Sequence, residues 1–173
     1  MTLGHEQQSF KLGAYPSPWD NKRLIFMVRQ PTAPEADSIP EEYDGLKDYC
    51  YCSGAQGEIG SCTGWAGKHL TYALVKLNDK ERQIFSAGNI YWHSRDFCFP
   101  PMSPDKEGSN ALAVMKQLQK VGAPYEVNSP TDVKLPFALD EKPGWELTAA
   151  QYKIGSYHQV PVNEASMKAA IYG

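Results

Sequence analysis

The sequence predicts an α+β chain, helical through its middle and turning to strand near its end. Three patterns predict it. From Ala66 the apolar positions recur at Leu70, Ala73, Leu74 and Leu77, the spacing of one helix face. A second helical pattern, with Leu112, Met115 and Leu118, runs from about Asn110 to Val121. From Gln151 to Val160 the period changes to alternation, with Tyr152, Ile154, Ser156, His158 and Val160 on one side, as in a half-buried strand.

A chain of 173 residues is one domain by size, and 42% hydrophobic content is enough for a core. A net charge of −3 gives no reason to expect nucleic acid or an anionic membrane as partner. No apolar run is long enough to span a bilayer, and the first eight residues lack the basic flank and apolar core of a signal peptide. A cytoplasmic protein is the expectation. Cysteines stand at 50, 52, 62 and 98. Cys50-Tyr51-Cys52 has no second ligand cluster, so neither a metal nor another cofactor is expected.

Residues 1–48 read as an extended, Pro-rich lead-in or short pro-segment. Pro16 and Pro18 exclude a helix around them, Leu24–Val28 is a short apolar run, and Pro31, Pro34 and Pro40 mark a surface connector. Residues 49–150 form the helical body. A helix opens at Cys62 and ends at Asn78-Asp79. A second spans about Ser86–Arg95, with Ser86 as its N-cap. A loop with three prolines follows, then the helix over 110–121, capped by Gly122 and followed by Pro124. Trp145–Gln151 is expected to make at least one helical turn. Residues 151–173 hold the strand and a last helix, capped near Asn163-Glu164 and carrying Met167, Ala170 and Ile171.

The chemistry concentrates in Gln56-Gly57-Glu58-Ile59-Gly60-Ser61-Cys62-Thr63-Gly64-Trp65-Ala66. A cysteine at a helix N-terminus faces the positive end of the peptide dipole, which favours the nucleophilic thiolate. Gly57 and Gly60 allow tight turning and close approach of a ligand. The Gln56 amide and the Cys62 N–H are placed to donate to a developing oxyanion.

This segment resembles the active-site segment of papain-like cysteine peptidases, most of all their bacterial and archaeal branch. The resemblance extends over about residues 48–172, through Ser86–Arg95 and Glu107-Gly108-Ser109. It implies a papain-like fold, mostly its helical half, with the β-rich half incomplete. It implies Cys62 as nucleophile and Gln56 as oxyanion-hole glutamine. Gly108, Ser109 and Gly60 become substrate-binding candidates, though Gly108-Ser109 reads equally well as a plain helix start. Secreted relatives carry a pairing cysteine where Ile59 stands here, and its absence fits a reducing compartment.

A thiol peptidase also needs a base. The family's histidine lies about 130–150 residues beyond its cysteine, beyond Gly173 here. His69 follows Cys62 by two helical turns, about 10 Å along the axis, too far for proton transfer. None of His5, His93 and His158 sits in a matching motif. The expectation is a cysteine peptidase acting on peptide or protein substrates. Its histidine and asparagine would come from a missing C-terminal segment or a second chain. The alternative is a catalytically incomplete peptide-binding or assembly module. A transferase or amidase on the same cleft is a third class.

Overall fold

The computed structural model describes residues 14–15, 54, 56–78, 83–131, 139–158, 160 and 163–172. Most of the Pro-rich lead-in, Cys50, Cys52 and His5 lie outside these residues. The chain divides into two units, one from Met1–Pro18 and Tyr49–Gly155, the other from Trp19–Asp48 and Ser156–Gly173.

In the first unit the order is β1 (Ala14–Tyr15), α1 (Cys62–Leu77), α2 (Ala87–Ser94), a 3-10 turn at Arg95–Phe97, β2 (Ser109–Asn110), α3 (Ala111–Lys120) and α4 (Trp145–Ala150). The three longer helices start where the sequence says. Cys62 opens α1, Ser86 caps α2 by accepting from the Asn89 N–H, and Asn110 caps α3 by accepting from the Ala113 N–H. Gly122 closes α3 in the left-handed region at φ 98°, donating to the Gln117 carbonyl. A side chain there would also run into the Ala149 carbonyl oxygen, 1.9 Å from an added Cβ.

The buried face of α1 is not the one that the apolar spacing predicts. Leu70, Leu74 and Leu77 are 36%, 37% and 50% exposed, and Ala66 is exposed. The face that packs inward carries Thr63, Gly64, Gly67, Lys68, Thr71, Tyr72 and Val75. The reason is the closeness of α2. A Cβ at Gly64 would stand 2.4 Å from the Ala87 carbonyl oxygen and 2.5 Å from the Tyr91 Cβ. One at Gly67 would stand 2.8 Å from Ile90 and 2.9 Å from Val114. Glycines carry no apolar weight in a periodicity count, yet here they let helix backbones meet. The Thr71 hydroxyl donates to the Gly67 carbonyl, and Lys68 lies over the Trp65 ring, 3.8 Å from Glu126, so both polar groups are satisfied on the inner face.

The core gathers Tyr72, Val75, Phe85, Ile90, Val114, Leu118 and Ala123, with Tyr125, Tyr152 and Ile154 packed against it. A smaller cluster centres on Tyr91, with Ile59, Trp92 and Leu139. The strand expected over Gln151–Val160 does not form among its described residues. Gln151–Tyr152 is a turn and 153–158 is irregular chain. The alternation still acts locally: Tyr152 and Ile154 reach the core, and the Ile154 N–H donates to the Leu118 carbonyl. An irregular chain docked by one such bond needs no neighbouring strand.

The sheet is two short strands in parallel, with Ala14 opposite Ser109 and Tyr15 opposite Asn110. In the second unit α5 (Glu164–Tyr172) starts at Asn163, whose side chain accepts from the Ser166 N–H. Ser166 is buried, whereas Met167 and Ala170, expected on its apolar face, are exposed.

These contacts reverse the order of sensitivity that the apolar pattern implies. Gly64→Ala should cost about 1–3 kcal/mol by overpacking, and more if α2 cannot shift. Leu70→Ala, on the exposed face, should cost less than about 1 kcal/mol. Urea unfolding midpoints of the two variants check this. A larger loss for Leu70→Ala would contradict the packing.

Candidate active site

Cys62 is the first residue of α1, half-buried and with a free thiol. The turn before it is built by two glycines with different work. Gly57 is left-handed at φ 64°, and an added Cβ there would meet nothing, so conformation alone requires it. Gly60 is buried, and its N–H donates to the Glu107 carboxylate at 3.1 Å. The Ser61 N–H donates back to the Ile59 carbonyl at 2.7 Å, which folds the chain sharply just before Cys62.

The N-terminus of α1 is left open. Ser61 makes no side-chain cap, and no acidic residue stands in the first turn. Among the described residues none accepts from the Cys62 N–H. An oxyanion placed there would meet an unspent donor and the helix dipole together. Gln56 is half-buried just before the turn.

The segment before α3, joined to this turn by the Glu107–Gly60 bond, forms a wall beside it. Gly108 is left-handed at φ 110° and buried, and its N–H donates to the Tyr91 hydroxyl at 2.7 Å. The Ser109 side chain is fully buried, its hydroxyl 2.7 Å from that of Ser94. Gly108 and Ser109 are both buried, Ser109 wholly so, backbone included. The backbone edge at Ser109–Asn110 is paired with β1. The Tyr15 hydroxyl adds a bond to the Glu107 carbonyl at 3.0 Å. Asn110, not Gly108 or Ser109, is the helix cap.

The loop leading to this wall is organised by Arg95, which is 3% exposed. Its guanidinium donates to the Ser103 and Lys106 carbonyls and lies 4.9 Å from the Trp92 ring centre. Burial raises the Tyr91 hydroxyl above its usual pKa, against the opposing effect of the Gly108 N–H bond, so the phenol stays neutral.

The described histidines are His69, His93 and His158. His69 faces the Trp65 ring at 6.4 Å, and burial, then the Lys68 charge, lowers its pKa, so it stays neutral. His93 shares the Glu141 carboxylate with Asn89 and stacks on Trp145 at 4.8 Å. His158 is exposed. Among the described residues no hydrogen bond joins Cys62 to a histidine, and no group of three or more His, Cys, Asp or Glu side chains gathers as a metal site. No described helix is long and apolar enough to cross a membrane.

Glu107, Tyr91, Arg95 and Tyr15 were not legible as site residues. Their contacts cross wide sequence separations, 47 residues for Glu107 to Gly60 and 92 for Tyr15 to Glu107.

No protein-family model matches the sequence, and no curated protein sequence matches it. Among solved structures, the chain is similar in fold to xylellain, a cysteine protease from Xylella fastidiosa. The TM-score is 0.74 at 22% identity, over 99% of this chain and 66% of that one. The class that the likeness defines is the fold of a cysteine protease. The chain spans about two thirds of that structure's length.

Tyr91→Phe tests how the wall is held. It leaves the buried Gly108 N–H without its acceptor, which should cost about 1–3 kcal/mol. Faster amide exchange at Gly108 is the expected readout, and unchanged exchange would show that Tyr91 does not hold the turn.

Proposed function

We propose that the chain carries the nucleophile side of a cysteine peptidase, with Cys62 as nucleophile. The observation that carries this reading is a free, half-buried thiol at the first residue of an uncapped helix, in the fold of a cysteine protease. The Cys62 sulfur attacks the carbonyl carbon of a peptide bond, and the carbonyl oxygen becomes an oxyanion. The Cys62 N–H and the Gln56 amide receive it. Collapse breaks the C–N bond, the amine leaves with a proton, and water then hydrolyses the thioester. Peptides or proteins are the substrates. Gly60 and Gly108 are the residues nearest the substrate, and Ser109, wholly buried and paired with β1, backs them.

The base and the group that orients it come from outside residues 1–173, on a further segment or a second chain. Two features support this: no described histidine is bonded to Cys62, and the Leu70–Leu74–Leu77 stripe of α1 is apolar surface that such a segment would cover. Residues 1–48 are read as a short pro-segment, a role favoured by Ala14–Tyr15 pairing with the wall. That same pairing favours a second reading, a module that holds a peptide without cleaving it.

A thiol-directed peptidyl epoxide given to the protein should label Cys62 and leave the buried Cys98 unmodified. Tyr15→Ala should speed labelling if β1 shields the wall. Cys62→Ala should lower turnover of a peptide substrate by about three orders of magnitude or more. Labelling confined to other cysteines would count against the nucleophile. Normal peptide binding without any Cys62-dependent turnover, even with a natural partner present, would select the binding module.

A further inference from the structure

The loop that bears Cys62 and the wall beside it are different parts of the chain, and something must fix one to the other. Ile59 stands at the turn, so no thiol is there to make a covalent tie, and Cys98 is buried beside Ser94 and Ser109. Among the described residues Glu107 supplies the side-chain hydrogen bond between the two loops. Its carboxylate accepts from the Gly60 N–H at 3.1 Å.

Glu107 is itself well anchored. Its carbonyl receives the Tyr15 hydroxyl, the next N–H goes to Tyr91, and the preceding carbonyl at Lys106 receives the Arg95 guanidinium. An acceptor on so constrained a backbone can impose an orientation on its donor. The donor is the peptide N–H two residues before the nucleophile. Turning that peptide would swing Ser61 and Cys62, because the Ser61 N–H is already folded back onto Ile59.

We propose that Glu107 is a positioning residue. By holding the Gly60 N–H it fixes the turn before Cys62 against the segment that carries Gly108, a noncovalent clamp. The proposal rests on the peptidase reading. Its action is geometric rather than electrostatic, since a carboxylate near a developing oxyanion would by charge alone oppose it. Glutamine keeps the acceptor oxygen and removes the charge, so Glu107→Gln and Glu107→Ala separate the two effects.

The test uses the full chain, with the wild type, Glu107→Ala and Glu107→Gln compared by amide hydrogen exchange and, together with the segment or second chain that supplies the base, by peptide hydrolysis. Loss of a charge-assisted bond should speed exchange at Gly60 by roughly tenfold in Glu107→Ala. Glutamine should keep it within about threefold of wild type. Tyr72, in the core of α1, should be unaffected in both, which separates a local change from unfolding. For hydrolysis, kcat should fall roughly tenfold in Glu107→Ala with KM nearly unchanged, and Glu107→Gln should restore it. Unchanged Gly60 exchange in Glu107→Ala would overturn the clamp. So would a glutamine variant as impaired as the alanine one. A wild-type protein with no Cys62-dependent turnover, even with the segment or chain that supplies the base present, would overturn the peptidase reading and with it the positioning role, while the Gly60 exchange would still report on the clamp by itself.

Discussion

Everything near Cys62 depends on how closely α1 and α2 approach. Gly64 and Gly67 remove the side chains that would otherwise hold the helices apart, and Ala87, Tyr91, Ile90 and Val114 fill the space. The contact fixes the rotation of α1 and so the direction in which its first residue points. It also fixes Tyr91, which reaches across to the Gly108 N–H. One packing constraint therefore orients both Cys62 and the segment that carries Gly108. Close packing transmits small displacements, because an interior at near-crystalline density has little room to absorb them.

The wall shows how a loop with three prolines becomes a defined surface. It has little regular structure, so its backbone carbonyls need partners from elsewhere. Arg95 supplies them from the end of α2, stacked on Trp92 so that burial of its charge is offset by ring contact and carbonyl bonds. Tyr91, Ser94 and Arg95 lie within five residues and all serve this loop. The segment Ser86–Arg95 is thus a support for the site, with most of its side chains directed inward.

Local signals were legible in the sequence, and nonlocal ones were not. Helix starts at Ser86 and Asn110, and the stop at Gly122, follow from capping chemistry confined to a few neighbours; the start at Cys62, which has no side-chain cap, is legible only from the glycine-rich motif before it. The inward face of α1 was misread because two of its contacts are glycines and three are Thr63, Lys68 and Thr71, whose polar atoms are read as solvent-facing. Lys68 is buried because Trp65 and Glu126 surround it, and nothing in the sequence places Glu126 there. The strand read from Gln151 failed for a related reason. Alternation describes which side chains turn inward, and an irregular chain satisfies it as well as a strand does. Within the candidate site, Cys62 and its glycine turn were visible as a motif, but Glu107 gained its contact only through folding.

The central claim is that the open end of α1, the Gly57–Gly60 turn and Gln56 together receive an oxyanion from a carbonyl attacked by Cys62. The most direct measurement is a crystal structure of the protein with a peptide aldehyde. The account predicts a bond from the Cys62 sulfur to the aldehyde carbon, with the oxygen about 2.7–3.1 Å from the Cys62 N–H nitrogen and the Gln56 amide. An adduct whose oxygen points away from both donors, or an aldehyde bound elsewhere with Cys62 free, would contradict it.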